Sequence, residues 1–321
     1  MENKRNLGQY FTMTNPFTLE PFVKWYNAIP NITNEVLLEP YAGANNIVKM
    51  LNVPNNWVCY DYEPPKENVC PQFPVIQRDT IENFPTGFNV AITNPPYLAK
   101  NSATRRGLKY QGGEYDDTYK KTIEIMLANC GYVAAIIPES FITANLFHDR
   151  LCTVISLTCK MFDDTDCPVC LAMFNKENSP DFEIYKMEKR LGTYNELSAY
   201  LPNQDTGTKT KITFNDPNGD IGIKCVDLTS GPSIEFVEGA TIDGSKIKVS
   251  SRALTRASLS CQIEDRSKLL NKCNEILNEY RNKTSDVFLT SFKGLRKDGM
   301  YRRRLDFLTA KNVILEALKK V

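Results

Sequence analysis

Apolar positions in the first half of the chain form short runs rich in β-branched and aromatic residues. Between residues 35 and 175 these runs alternate with helical or loop segments, as in a parallel sheet with crossover connections. One such segment, 116–130, has apolar residues at helical spacing and a glycine after it, which predicts a helix that ends there. The pattern predicts an α/β fold with seven strands, at 35–38, 57–60, 74–77, 90–93, 132–137, 154–159 and 169–174.

The pattern changes after residue 175. Turn signals at 215–219, 231–232 and 243–244 separate short alternating runs, which indicates a second, β-rich unit. Amphipathic helices are predicted near the end, over 262–283 and 308–321. We therefore expect two domains, 1–175 and 176–321, of which the second is mixed α+β.

The composition is typical of a soluble globular protein. Hydrophobic residues make up 42% of the chain and charged residues 24%, and every apolar run is shorter than the ~20 residues of a membrane span. The first residues, MENKRNLGQYF, lack the apolar core of a secretory signal. We expect a cytoplasmic protein without a membrane partner, or a nuclear one if the host is eukaryotic.

The ten cysteines are scattered along the chain, which favours reduced thiols over a disulfide framework. Cys167 and Cys170 form a single CxxC, and the one histidine, His148, is too distant in sequence to complete a familiar zinc pattern. We expect no structural metal.

Charge is unevenly distributed, although the chain carries a net charge of only +1. Residues 1–175 have a net charge of −4 and residues 176–321 a net charge of +5. The excess is concentrated in the segment 288–304, which predicts a polyanionic partner for the second domain. The basic residues of this segment are Lys293, Arg296, Lys297, Arg302, Arg303 and Arg304.

Acidic residues follow three successive predicted strands. They are Glu39, Asp61 and Asp79. Because ligands of open α/β sheets bind outside the carboxyl ends of the strands, these carboxylates are candidate ligand contacts. Asp61 follows Gly43 by 18 residues, near the offset at which an acid reaches ribose hydroxyls, but the glycine-rich pyrophosphate cradle is missing. An adenosine-bearing ligand without phosphates is therefore favoured.

The fourth predicted strand ends in Asn94-Pro95-Pro96-Tyr97. An exocyclic amine on a base is a poor nucleophile, because its lone pair is delocalised into the ring. The Asn94 side-chain oxygen and the Pro95 carbonyl could accept its two hydrogens and leave the lone pair free to attack. Pro96 stiffens the turn, and Tyr97 offers a flat ring on which a base can stack.

These motifs, in this order, resemble the gamma class of DNA adenine-N6 methyltransferases, over roughly residues 5–175. The resemblance implies a Rossmann-like methyltransferase sheet followed by a target-recognition domain. Two positions depart from the family pattern: Asn45 replaces a second glycine, and Met13 replaces a proline. Asparagine tolerates positive φ better than most residues. The matching segments are 8–12, 39–43, Asp61, Asp79 and 94–97.

The resemblance implies that S-adenosylmethionine lies across the strand ends. It assigns the following contacts: Tyr10, Thr12 and Glu39 to the methionine part, Gly43 to the sulfonium side, Asp61 to the ribose, Tyr62 to the adenine face and Asp79 to the adenine amine, with Pro40 and Thr80 beside them. It also implies an aromatic residue that holds the target base, and Phe162 stands at the matching place.

A base inside a duplex cannot reach such a pocket, so this interpretation requires the adenine to be flipped out. Double-stranded DNA is then the partner, held by the basic segment and by Arg105 and Arg106 in a glycine-containing stretch after Tyr97. The resemblance also implies a cognate restriction endonuclease as a functional partner, and we expect a monomer or weak dimer.

Three alternatives remain open. An adenine-N6 RNA methyltransferase would also use a basic domain, and a protein glutamine-N5 methyltransferase shares the tetrapeptide but would end soon after the seventh strand. A silent DNA-binding subunit would keep the fold without turnover. Cytosine-C5 methylation is disfavoured, because it needs a nucleophilic cysteine at this strand end.

Overall fold

The computed structural model describes residues 14–158, 161–162, 167–202 and 210–321. Its contacts divide the chain into two compact units, Met1–Tyr194 and Asn195–Val321. We call them the N-terminal and C-terminal units and describe each by itself.

Within the described residues, the N-terminal unit is built around one large, mostly parallel sheet. Its strand order is β3-β2-β1-β4-β5-β7-β6-β8-β9. The strands from β3 to β5 are parallel, whereas β7 runs antiparallel to both of its neighbours. The bounds are β1 Leu37–Glu39, β2 Trp57–Asp61, β3 Val75–Gln77, β4 Val90–Thr93, β5 Tyr132–Pro138, β6 Leu151–Leu157, β7 Val169–Phe174, β8 Glu183–Lys186 and β9 Lys189–Thr193.

All seven predicted strands occur, within a few residues of the predicted bounds, but the predicted count is too low, because β8 and β9 make this a nine-stranded sheet in the described residues. They form because continuous apolar runs satisfy a strand that is covered on both faces. In β4, β7 and the middle of β5, every residue is buried. The sequence pattern therefore identified the centre of the sheet.

The helices of the N-terminal unit present apolar stripes. In the helix Thr118–Asn129, the buried residues Tyr119, Ile123 and Met126 recur at the spacing predicted for segment 116–130. The helices are α1 Glu20–Ala28, α2 Asn46–Leu51, α3 Lys100–Arg106 and α4 Thr118–Asn129, and α5 Tyr194–Ser198 spans the division between the units.

The division between units lies later in the chain than the expected boundary at residue 175. β8 pairs in parallel with β6, and β9 pairs with β8, so both strands extend the first sheet. The sequence analysis assigned β8 and β9 to the second domain, because they lie after residue 175. They belong to the first unit because β8 forms backbone hydrogen bonds with β6 at the edge of the first sheet.

The C-terminal unit has mixed α+β structure, as the change in pattern predicted. An antiparallel sheet has the order β10-β13-β11-β12, and β14 pairs with β15 as a separate hairpin. The helix α6 buries the apolar side that its sequence predicted. The elements are β10 Ile212–Phe214, β11 Ile221–Lys224, β12 Glu235–Glu238, β13 Leu254–Leu259, α6 Arg266–Thr284, β14 Thr290–Leu295, β15 Tyr301–Arg304 and α7 Phe307–Leu318.

The described cysteines are all free thiols. Within the described ranges, no three His, Cys, Asp or Glu side chains are grouped closely enough to hold a metal ion. No helix in this part of the chain has the length and apolar character needed to cross a membrane.

Candidate active site

The order of the strands reverses between β1 and β4, which are neighbours in the centre of the sheet. At such a switch point the connections leave on opposite faces and open a crevice outside the carboxyl ends of the strands. Glu39 ends β1, Asp61 ends β2 and Asn94 follows β4 directly. The parallel register of these strands brings the three residues to one edge of the sheet.

Glu39 is the most deeply buried acid at this edge, with 1% of its surface exposed. Its Oε1 accepts hydrogen bonds from the Thr93 hydroxyl and from the Tyr41 N–H, the latter at 3.1 Å. Its Oε2 is buried and has no partner among the described residues. Burial raises the pKa of Glu39 to about 8. The two hydrogen bonds lower this pKa and the negative charge of Asp61 raises it further, but burial is the largest effect.

The loop after β1 is fastened to the end of β2. The Gly43 N–H donates to Asp61 Oδ2 at 2.8 Å, and the Glu63 N–H donates to Asp61 Oδ1 at 2.9 Å. Gly43 has a φ of +48°, which lets the backbone turn sharply here. Asp61 is therefore held in one orientation, with its carboxylate fastened to the loop after β1.

Asn45, two residues after Gly43, takes a backbone conformation that glycine usually supplies. It adopts a φ of +64° and is fully buried. Its Nδ2 donates to Phe73 O at 2.7 Å and to Asn68 Oδ1 at 3.0 Å. The side chain thus ties the loop to the segment before β3 while the backbone keeps the left-handed turn.

Asp79, after β3, has a partner that the sequence analysis did not predict. Its Oδ1 accepts from the N–H groups of Ile81 and Glu82, each at 3.1 Å, and its Oδ2 accepts from Gln111 Nε2 at 2.9 Å. The following residue, Thr80, is buried and donates to Pro40 O at 2.9 Å. Thr80 therefore links the β3 and β1 ends.

Tyr62 follows Asp61 and is 53% exposed, so its ring is accessible at the β2 end. Tyr10 and Thr12 lie outside the described residues. Their implied contacts with the methionine part of the cofactor remain predictions.

The tetrapeptide after β4 differs from expectation in one respect. Asn94 is half-buried, but Tyr97 is only 8% exposed, so its ring is not presented to solvent as an open face. Its hydroxyl lies within hydrogen-bonding distance of Asn94 Oδ1 and of the Ile136 carbonyl in β5. The tyrosine turns inward because the sheet supplies an acceptor that a sequence motif does not reveal.

Phe162 lies beside Tyr97. Their ring centroids are 6.3 Å apart in an edge-to-face arrangement, and Tyr119 of α4 contacts Tyr97 with the same separation and geometry type. Phe162 is 1% exposed. The two rings predicted to hold a base therefore pack against each other in this structure.

The two predicted DNA contacts of the N-terminal unit are at the surface. Arg105 and Arg106 lie in the last turn of α3 and are exposed. Gly107 ends the helix in the left-handed conformation, with a φ of +62°.

In the C-terminal unit, two of the six predicted DNA contacts are buried, and this corrects the prediction for them. Arg296 is 9% exposed and pairs with Asp227 at 3.2 Å and with Asp298 at 2.8 Å. Arg303 is 2% exposed and donates to Ser291 Oγ at 2.7 Å. Both guanidinium groups satisfy internal acceptors and are not available to a DNA surface.

The other four basic residues remain accessible. Lys293 and Lys297 are exposed, and Arg302 and Arg304 are partly exposed. The basic segment 288–304 therefore contains buried and accessible side chains, and the sequence alone does not distinguish between them.

Thr93 and Gln111 were missed by the sequence analysis. Thr93 could have been suspected as a polar residue ending an apolar strand next to Asn94. Gln111 gave no signal, because it reaches Asp79 from 32 positions away in sequence.

Comparisons with known proteins give distant structural likenesses only. No protein-family model matches the chain, and no curated protein sequence matches it. A putative class I S-adenosylmethionine-dependent methyltransferase from Listeria monocytogenes matches with 13% identity and a TM-score of 0.37, over 55% of this chain and 68% of that one.

Two restriction-modification proteins match to a similar degree. The methyltransferase subunit of a type I system from Streptococcus thermophilus has 16% identity and a TM-score of 0.37, over 57% of this chain and 48% of its own. The type IIG restriction endonuclease BpuSI has 16% identity and a TM-score of 0.41, over 58% of this chain and 28% of its own. The matched region is thus less than half of either protein, and at these scores the likenesses carry no argument about activity.

Proposed function

We propose that this protein transfers a methyl group from S-adenosylmethionine to the N6 amine of a flipped-out adenine in double-stranded DNA. The observation that carries the proposal is the position of Asn94. Its amide stands at the end of β4, at the switch point of the sheet, next to the strand that ends in the buried carboxyl of Glu39. An amide acceptor in that place suits the activation of an amine beside a bound cofactor.

The residues of the crevice fit S-adenosylmethionine. The buried Glu39 Oε2 lacks a partner among the described side chains, and a cationic amine would supply one. Asp61 and Asp79 provide carboxylates at the ends of the next two strands, suited to ribose hydroxyls and an adenine amine. When bound, the cofactor supplies an electrophilic methyl group on its sulfonium sulfur.

The protein's part in the reaction is to prepare the amine. Asn94 Oδ1 and the Pro95 carbonyl accept the two amine hydrogens, which draws the nitrogen toward tetrahedral geometry and frees its lone pair. Pro96 removes an N–H that would compete for these acceptors. Transfer of the methyl group leaves a cationic amine, whose extra proton passes to solvent.

Binding of the base requires Tyr97 to leave its inward position. The Tyr97 hydroxyl now occupies Asn94 Oδ1, and its ring fills the space against Phe162. Outward rotation about its side-chain bonds would free the amide oxygen and separate the two rings in one movement. A flipped adenine could then enter between them, with its stacking energy offsetting the lost aromatic contact.

Cofactor binding should release a proton. At pH 7 the Glu39 carboxyl is mostly protonated, because its pKa is raised to about 8. A cationic amine beside it favours the carboxylate, so binding of S-adenosylhomocysteine should expel close to one proton at pH 7 and none well above pH 8. Calorimetry in buffers of different ionisation enthalpy measures this release. The Glu39→Gln variant should release none, and equal enthalpies for the wild type in all buffers would contradict the assignment.

Gln111 should compete with the cofactor for Asp79. Its Nε2 donates to Asp79 Oδ2 in the way that an adenine amine would. The substitution Gln111→Ala should therefore tighten binding of S-adenosylhomocysteine, by about tenfold for a hydrogen bond to a charged group. Calorimetric titration of this variant beside Gln72→Ala, an exposed glutamine, measures the change. Weaker binding by Gln111→Ala would instead make Gln111 a cofactor contact.

Incubation with labelled S-adenosylmethionine and plasmid DNA tests the proposed function directly. Incorporation into DNA, followed by mapping of the modified positions, is the expected result. Parallel reactions with structured RNA and with a glutamine-containing protein address the two alternative substrates. Label in RNA or protein but not in DNA would replace the proposed substrate, and binding of cofactor without any transfer would favour a silent subunit.

A further inference from the structure

The hairpin β14–β15 sorts the basic segment onto two faces. Ser291 lies opposite Arg303 and Phe292 lies opposite Arg302, and successive residues of a strand point to opposite faces. Arg303 is almost fully buried, which identifies its side as the inner face. Phe292, Arg302 and Arg304 belong to the outer face.

The inner side is fastened through Asp227, which is completely buried. Arg281 of α6 contacts both of its carboxylate oxygens, at 3.0 and 2.9 Å, and Arg296 from the hairpin tip contacts Oδ2 at 3.2 Å. The Arg303 N–H donates to the same oxygen at 3.2 Å, and the Lys297 N–H donates to Thr229 O at 2.8 Å. The Asp227 N–H also donates to the Arg303 carbonyl at 3.0 Å, so the hairpin is held along the edge of β15 as well as at its tip.

The outer face carries an ordered cation. Arg302 donates from Nε to the Asp227 carbonyl at 2.6 Å, and its guanidinium lies over the Phe292 ring, 5.0 Å from the centroid. These two contacts fix the plane of the guanidinium. The N–H groups of a guanidinium that is already ordered can bind a pair of acceptors with a smaller loss of side-chain conformational entropy.

Positive charge near the tip of the hairpin exceeds the acidic charge of the hairpin. Lys293 and Lys297 are exposed near the tip. The one acid there, Asp298, is paired with Arg296 at 2.8 Å. The hairpin thus presents lysines around an arginine and an aromatic ring, which is the charge pattern expected for a polyanion.

On the basis of the DNA-modifying function proposed above, we propose that the face of the β14–β15 hairpin that carries Phe292 and Arg302 docks on the major groove of duplex DNA. That groove, about 12 Å wide, presents paired acceptors on guanine to an arginine fork. The major groove of duplex RNA is too narrow for side chains to read. Lys293 and Lys297 bind phosphates, and Arg302 contacts base edges.

A charge-matched pair of double variants of the full chain tests the lysines. Lys293→Ala with Lys297→Ala removes both from the hairpin, while Lys311→Ala with Lys319→Ala removes two exposed lysines in and just after α7. Fluorescence anisotropy on a DNA duplex gives the affinity at increasing salt. Losing two phosphate contacts should reduce the slope of log affinity against log salt concentration by about 1.8. The loss of affinity relative to the wild type should therefore be about 60-fold larger at 0.1 M salt than at 1 M salt. The α7 double variant should follow the wild type.

Competition experiments with the wild-type protein test which groove it occupies and whether it prefers duplex DNA to duplex RNA. Methyl green, which occupies the major groove, should displace the protein, and netropsin, which occupies the minor groove, should not. Equal curves for the two double variants, displacement by netropsin alone, or preference for duplex RNA would each overturn the proposed docking. If the two double variants bind DNA equally but the wild type still methylates DNA, the docking proposal fails and the proposed enzyme function stands. If the variants differ in DNA binding but no methyl transfer to DNA is found, the proposed enzyme function fails and the hairpin remains a DNA contact.

Discussion

Replacing Asn94 with alanine should lower the rate of methyl transfer by about 10³-fold, as expected when a preorganised hydrogen-bonding group is removed from a developing charge. The amide oxygen is one of two acceptors proposed to orient the amine, and alanine offers none. Affinity for S-adenosylhomocysteine should be nearly unchanged, because Glu39, Asp61 and Asp79 are untouched. Single-turnover transfer to plasmid DNA and calorimetric binding measure the two quantities separately.

Two controls show whether the loss comes from the acceptor itself. Asn94→Asp keeps an acceptor oxygen in place and should retain more activity than Asn94→Ala. Asn178→Ala removes an exposed amide and should have wild-type activity. A near wild-type rate for Asn94→Ala would exclude the proposed activation of the amine, whichever substrate is used.

The substitution Asp227→Asn should destabilise the protein by about 3–5 kcal/mol, because it removes the only completely buried carboxylate among the acidic partners of two mostly buried guanidinium groups. Arg281 and Arg296, both mostly buried, share this carboxylate, and their other acidic partners, Asp286 and Asp298, are more exposed than Asp227. Urea unfolding followed by far-UV circular dichroism should show a lower midpoint. Tryptophan fluorescence reports on the N-terminal unit, which contains both Trp25 and Trp57.

An exposed ion pair provides the matched control. Glu235 pairs with Lys224 at 2.5 Å with both side chains about half exposed, so Glu235→Gln should cost no more than about 1 kcal/mol. Equal effects of Asp227→Asn and Glu235→Gln would show that the buried network does not stabilise the fold.

The contribution of Asp227 should also depend on pH. Burial alone would raise its pKa, but hydrogen bonds from Arg281, Ser233 and Arg303, together with the charge of Arg281, lower it below the usual range. A depressed folded-state pKa means that the stabilisation is complete above the unfolded value, about 3.9, and is lost as the pH falls through the folded value. The difference between wild type and Asp227→Asn should therefore be constant near neutral pH and shrink only in strong acid.

The strands and the helix at Thr118–Asn129 could be predicted because their signals are local. A buried strand needs a continuous apolar run, and a helix needs apolar residues at its own period. The turn at Asn94-Pro95-Pro96-Tyr97 and the acids at Glu39 and Asp61 were visible for the same reason. Parallel strands then bring their carboxyl ends to one edge, so the sequence alone located the candidate site on the sheet.

Contacts between distant segments could not be predicted in this way. Tyr97 lies inward because the Ile136 carbonyl is within reach, and Asp79 is partnered by a glutamine from the segment after α3. Arg296 and Arg303 lie within a run of outwardly similar charges, but pairing with Asp227 and the register of one hairpin bury them. Local composition determines which elements form, whereas side-chain direction depends on which acceptor the tertiary fold brings near, and only the structure decides that.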